Sequence, residues 1–210
     1  MTLTISALFN RPFIRQTFIR QTVAAVVAAA MILALPLGPV AAQGGGDVAA
    51  VAYMNTAAKE IIAASRTRSL ATLQSAIMRH ADLGYMGGIG LGDYRDKLIP
   101  GDKQSYYTGM TRFMAKYALS ESQKYQVSHL TFQPVGRAAK YGLMVDSTVH
   151  MRDGSSYDVQ WMLSKTGNTY KIRDAQILTF WMTPQLQRLF TNYIGENGGN
   201  VKALLVALNR

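Results

Sequence analysis

The sequence predicts an α+β domain in which N-terminal helices cover a twisted, mainly antiparallel four-stranded sheet and C-terminal helices close it. Three observations predict it. From about Val48 to Ser120 apolar residues recur at three- and four-residue steps, the helical period. Beyond about residue 122 the step becomes two, as a half-buried strand requires. From Thr183 onward the helical step returns in two short stretches.

Ahead of these elements, Arg11, Arg15 and Arg20 precede "TVAAVVAAAMILALPLG", and small residues follow at Val40 and Ala42. This is the pattern of a secretory signal peptide with cleavage after Ala42, so residues 1–42 are expected as leader and 43–210 as one domain. The uninterrupted apolar stretch from Val23 to Leu35 is shorter than the roughly 20 residues a spanning helix needs. Of 22 Lys and Arg, three lie in the leader; the remaining 19 against 12 Asp and Glu leave the exported chain at about +7. No run of Lys or Arg is present, which with export argues against a nucleic-acid partner. The absence of Cys removes thiol catalysis and cysteine metal sites.

The elements follow in order. Ala58, Ile61 and Ile62 mark one helix; Leu70, Leu73, Ile77 and His80 mark a second. Next comes "GYMGGIGLGDYRDKL", where Gly87, Gly88, Gly90 and Gly92 predict a bent or interrupted helix, since each Gly costs a helix about 1 kcal/mol against Ala. In "PGDKQSYYTGMTRFMAKYAL", Pro100 and Asp102 give a start signal, and Tyr106, Met110, Phe113 and Tyr117 form one stripe. "YQVSHLTFQPV", "YGLMVDSTVHM", "SYDVQWMLS" and "TYKIRDAQILTF" read as four strands, separated by turns at "GRAAK", "RDGSS" and "KTGN". A four-stranded meander with one apolar face needs the preceding helices to cover it. Thr183 before Pro184 predicts a helix cap, "GENGG" its stop, and "NVKALLVALNR" a last amphipathic helix.

Catalytic and cofactor chemistry finds little footing. The glycines follow a helix rather than a strand, lack Gly-x-Gly-x-x-Gly spacing, and are not followed by Gly-Lys-Ser/Thr. His80, His129 and His150 fit no zinc motif, no Gly-x-Ser-x-Gly elbow occurs, and no metal or cofactor is expected. Asp158 faces solvent by alternation and Asp174 follows Arg173 at an expected bulge; both read as structural. What stands out is 11 Tyr, 11 Met, 7 Phe and 2 Trp. Most must fill a core. Met re-packs around irregular shapes and Tyr suits a cavity rim, so a carrier of an apolar molecule is the leading reading and an enzyme is not expected.

The series "LGDY", "YYTGMTRFMAKY", "VQWML", "GNTYKIRDAQI" and "QLQRLFTNYI" resembles the periplasmic phospholipid-binding component of the Mla lipid-transport system, the toluene-tolerance or Ttg2D family, over roughly residues 50–210. The resemblance implies a periplasmic shuttle. It would carry phospholipid between an outer-membrane lipoprotein–porin complex and an inner-membrane ABC transporter bearing a ring of MCE domains, with acyl chains between sheet and helices. A related branch accompanies hopanoid biosynthesis, so a hopanoid or another lipid is an alternative cargo. A cone-fold enzyme of the ketosteroid-isomerase type is a second alternative, requiring Asp158 or Asp174 to point into the cavity; an interaction module with a filled core is a third.

On this reading the candidate lipid-binding residues are Ile77, Met86, Ile89, Leu91, Tyr94, Phe113 and Tyr117 from the helices and Val145, Val149, Val159, Trp161 and Leu163 from the sheet. Gly87–Gly92 is expected as a break in the helical layer over the cleft. Arg95, Lys97, Lys116, Arg137 and Lys140 are the candidate docking residues for the membrane complexes, since complementary charge speeds encounter.

Overall fold

A computed structural model describes residues 46–210; the signal-peptide expectation for residues 1–42 lies outside the described residues. Helix α1, Val48–Arg66, starts at Asp47, whose carboxylate accepts from the Ala50 N–H at 2.8 Å. Asp47 is also tied to the sheet, accepting from Tyr170 Oη and Lys165 Nζ at 2.9 Å each and pairing by its backbone with Gly136. This fixes α1 across the sheet, where Ala50, Val51, Met54 and Ala57 bury against Val145, Leu163, Tyr170 and Ile172.

Helix α2, Leu70–His80, is capped by Ser69 and packs Leu73 and Ala76 against Ala64 of α1. Helix α3, Leu83–Leu91, is capped by Asp82, which accepts from the Tyr85 N–H at 3.2 Å. Two 3-10 turns, Gly92–Lys97 and Pro100–Asp102, lead into α4, Lys103–Ser122, which packs on α1, α2 and α3. After the sheet, α5 (Met182–Glu196) and α6 (Val201–Leu208) close the helical layer, α5 on α3 and α6 on α4.

The sheet has six strands where four were expected. β1 (Val127–Phe132), β3 (Gly142–Met151), β4 (Ser156–Thr166) and β5 (Thr169–Ile177) are the four read from alternation. The "GRAAK" segment is not a bare turn: Arg137–Ala139 forms β2 on the same edge of β3 as β1. At the other side β5 turns back into β6, Phe180–Trp181. The order is β1-β3-β4-β5-β6, all antiparallel. The expected bulge is present: Met162 opposes Asp174 but Leu163 opposes Ile172, so Arg173 is the extra residue. Among the described residues no helix is long and apolar enough to cross a membrane.

Candidate functional site

Strand alternation places all five predicted sheet residues on one face. The register pairs Leu143 with Leu163, Val145 with Trp161, Ser147 with Val159 and Val149 with Tyr157, so Val145, Val149, Val159, Trp161 and Leu163 point the same way. Their burial is uneven along the strands. Val145 and Leu163, under α1, are fully buried and Val159 is buried, as is Met151 on the same face; Val149 and Trp161 are half-buried, and toward the far end Tyr157 is 40% and Ile177 36% exposed. The face is thus sealed under α1 and exposed at Tyr157 and Ile177, where β4 begins and β5 ends. Its polar atoms are turned on each other: Trp161 Nε1 donates to Ser147 Oγ at 2.9 Å, and Ser147 Oγ donates to the Val159 carbonyl at 3.3 Å. The indole N–H is thereby satisfied while the ring packs beside the core cluster under α1.

The helical side is less uniform. Phe113 and the half-buried Tyr117 lie on α4, which packs on other helices, whereas the sheet is met chiefly by α1, α2, α3 and α5. Burial, with the nearby Glu121 and Tyr125, pushes the Tyr117 phenol pKa up. Ile77 packs beside the cluster of Ala64, Leu73, Ala76 and Ala115, between α1, α2 and α4. Met86 and Leu91 are buried on α3 and Ile89 is half-buried. Tyr94 stands apart, in the 3-10 turn after α3, close to Gly195 and Gly199 at the end of α5 and with Lys97 Nζ 5.0 Å from its ring centroid.

The expected interruption at Gly87–Gly92 is corrected. Leu83–Leu91 is continuous helix, and the chain breaks only at Gly92, with φ +51°. The interior glycines serve helix packing instead. A Cβ on Gly87 would stand 2.7 Å from Tyr107 Cε1 and 3.0 Å from Tyr106 Cε1, and one on Gly90 would stand 3.0 Å from the Tyr106 hydroxyl oxygen and 3.5 Å from Phe190. Spaced three apart, they form a notch that receives Tyr106 of α4 and Phe190 of α5. Favourable tertiary packing outweighs the helix penalty of the glycines, which local propensity alone does not register.

Neither carboxylate weighed for catalysis faces the apolar surface. Asp174 is buried, opposite Met162 on the reverse face, and its Oδ1 accepts from the Ala175 N–H at 2.8 Å and the Thr183 N–H at 2.9 Å. Burial pushes its carboxyl pKa up, opposed by these N–H groups. It therefore caps α5 from a neighbouring strand. The expected cap, Thr183, lies inside the helix and donates its hydroxyl to the Arg173 carbonyl. Asp158 is exposed and accepts from Thr148 at 2.9 Å. Of the histidines, His80 is buried between Tyr53 (3.1 Å) and Glu60 (2.9 Å), while His129 and His150 stack across β1 and β3 on the reverse face with ring centroids 4.4 Å apart. Among the described residues no group of three or more His, Cys, Asp or Glu could hold a metal.

The five basic residues are not gathered. Arg95 lies against Gly88 and Lys97 over Tyr94, both near α5. Lys116 donates to the Arg210 carbonyl at 3.0 Å, and its pKa is lowered by burial and by the neighbouring Arg112. Arg137 makes two bonds to Asp146, at 3.2 and 3.3 Å, and Lys140 sits over Tyr141. The last two stand where β3 begins, the sealed end of the apolar face.

The candidate site residues left out Ser147, Tyr157 and Ile177, which share this face. Ser147 and Tyr157 continue the alternation of the residues that were chosen, and that signal was available; Ile177 falls in phase only once the bulge at Arg173 is counted. Also left out was the junction of Asp82, which accepts from Arg173 Nε and from Ser164 Oγ at 3.0 Å each, because its members are 91 and 82 residues apart.

Comparison with known proteins gives two findings. The family model described as "MlaC protein" matches residues 49–210. The fold is similar to that of a phospholipid-binding protein from Ralstonia solanacearum solved in complex with a phospholipid, with a TM-score of 0.61 and 22% identity over 78% of this chain and 95% of that one. Among curated proteins no relative matches the chain.

Proposed function

The chain belongs to the MlaC protein family, and from that premise we propose that it is a periplasmic lipid carrier whose acyl-chain site is the sheet face of Val145, Val149, Val159, Trp161 and Leu163. One observation carries the reading: this largely apolar face is fully covered under α1, at Val145 and Leu163, but only half-buried at Val149 and Trp161 and exposed at Tyr157 and Ile177. Apolar surface open to water is a standing cost that a hydrocarbon ligand removes, at about 0.8 kcal/mol per buried CH₂. Two acyl chains with roughly 30 methylenes supply ample binding energy even when only part of their length is buried. Met144 and Met162, paired across β3 and β4, are buried on the opposite face, so apolar side chains also back the sheet behind a ligand.

Carriage requires no bond to be made or broken. Asp174 is engaged as a helix cap and Asp158 is bonded to Thr148, which speaks for a carrier over a ketosteroid-isomerase-like enzyme. The structural neighbour's phospholipid supports a phospholipid cargo over a hopanoid. With a leader at residues 1–42, the protein would be exported and would exchange lipid with an outer-membrane lipoprotein–porin complex and an inner-membrane ABC transporter carrying MCE domains. The family assignment supports these partners, and Ile77, Met86, Ile89, Leu91, Phe113 and Tyr117 are proposed as the helical side of the site.

The test is mass spectrometry of an organic extract from the gently purified protein. Phospholipid at near-stoichiometric amount is expected. An extract empty of lipid, from protein that also fails to take up phospholipid from vesicles, would overturn the reading.

A further inference from the structure

The β5–β6 hairpin is unusual at one residue in two ways. Ile177 pairs with Phe180, so Leu178 and Thr179 form a two-residue connection, and Leu178 has φ +59°. The first central residue of such a turn, when its φ is positive, is normally glycine. Leu adopts that conformation only under strain. Packing does not compensate, because Leu178 is 47% exposed. A strained backbone that presents an apolar side chain to water has no rationale inside the molecule, which directs attention outside it.

The surroundings agree. The hairpin tip lies at the end of the sheet where the candidate lipid face is open, with exposed Ile177 beside it and exposed Tyr157 on the adjoining strand. The entry to β1 and the β3–β4 turn reach the same end and bring exposed Tyr125, Lys124 and Arg152.

We propose that the β5–β6 tip is a membrane-contacting element: Leu178, with Ile177 and Tyr157, enters the headgroup–acyl boundary of an anionic phospholipid bilayer and sets the open end of the apolar face on its surface. A lipid surface suits this patch better than a protein does. The tip is convex and offers a few side chains, whereas a stable protein interface takes about 20–30 residues a side. Phenols at its border match the polar–apolar boundary of a membrane. Lys124 is paired with Glu121, and Arg152 stands beside exposed Asp153, with exposed Asp158 on the adjoining strand, so the preference for an anionic surface comes from the chain's excess of about seven positive charges. The purpose of the contact rests on the carrier reading; its detection does not.

The test compares the full mature chain with Leu178→Gly by flotation on mixed phosphatidylethanolamine–phosphatidylglycerol vesicles. Glycine relieves the backbone strain, so the variant folds at least as well as the parent. The parent is expected to float with the vesicles and the variant's partition coefficient to fall roughly tenfold or more, while lipid co-purifying with the variant stays at the parental amount. Failure of the parent to float, or equal flotation of both, overturns the proposal. So does a variant that floats normally but loses binding to a purified membrane-protein complex, which makes the tip a protein contact. Flotation that depends on Leu178 in a protein that carries no lipid and takes none up from vesicles would sustain this inference and overturn the carrier reading.

Discussion

Tyr106 of α4 donates its hydroxyl to the Gly87 carbonyl of α3 at 3.0 Å, its ring lying in the notch left by Gly87 and Gly90. The ring is fully buried, and burial pushes the phenol pKa far above its ordinary value. The bond joins the two helices through a backbone atom, so it depends on a close approach that only residues without a side chain permit.

Gly87→Ala is therefore expected to destabilise the protein by about 1–3 kcal/mol, the usual cost of overpacking, because two tyrosine rings must move. Gly84, on the same helix, has only Asp82 Oδ1 at 3.9 Å from a built Cβ. Gly84→Ala should instead stabilise by about 0.5–1 kcal/mol through helix propensity. Urea midpoints measured side by side decide it; a shift of the same sign in both variants contradicts the notch.

Asp174→Ala removes the cap of α5 and should cost about 1–2 kcal/mol. Asp174→Asn keeps an acceptor and sheds a charge that burial disfavours, so its thermal midpoint should lie closer to the parent than that of the alanine variant. Equal losses would mean that the carboxyl acts through its charge rather than as an acceptor for Thr183.

Acid should weaken the fold in a defined direction. The Asp47 carboxyl is held below the usual range by Lys165, against a burial penalty and with help from Ala50 and Tyr170; burial pushes Asp82 up, but Arg173, the Tyr85 N–H and Ser164 outweigh it. A depressed folded pKa gives stability that is present above the unfolded value, about 3.9 for Asp, and is lost as pH falls through the lower folded value. Asp174, raised by burial, works the opposite way and offsets part of the loss. Denaturant midpoints are expected to hold from pH 7 to about 5 and then decline, less steeply in Asp47→Asn. A midpoint unchanged down to pH 3 would refute the assignment.

Val149→Glu and Trp161→Glu place an unpaired carboxylate on the half-buried part of the apolar face, where it is costly against hydrocarbon. Both are expected to purify folded but without lipid, while Trp161→Phe retains it. Normal loading of both glutamate variants, read by mass spectrometry of the extract, would show that the acyl chains lie elsewhere.

Much of this architecture was legible because it is periodic. The two-residue step placed Val145, Val149, Val159, Trp161 and Leu163 on one face, and alternating four- and three-residue steps placed Tyr106, Met110, Phe113 and Tyr117 on one side of α4. What stayed hidden depends on partners far away in the chain. The glycines of α3 signal a break when only the helix is considered, and a packing notch once Tyr106 and Phe190 are present. Thr183 is a sound local cap, yet Asp174, nine residues earlier, takes the role because the β5–β6 turn brings it to the helix start. The basic residues gave no periodic signal, and only tertiary structure shows Arg137 committed to Asp146 and Lys116 to the Arg210 carbonyl.

Asp47 opens the folded domain and is bonded to Lys165 and Tyr170, 118 and 123 residues further on. Asn209, at the opposite end, is bonded to Ser105, 104 residues back. Helix α1 meets β1 and β3 first, but its start is fixed only when β4 and β5 bring Lys165 and Tyr170 to Asp47, and α4 lacks its outer cover until α6 exists. Closing such long loops must precede the contacts that reward it, which slows folding. Export from the N-terminus, as the proposed function requires, would therefore deliver the first helices uncommitted, with the native shape reached only after the last strand has followed.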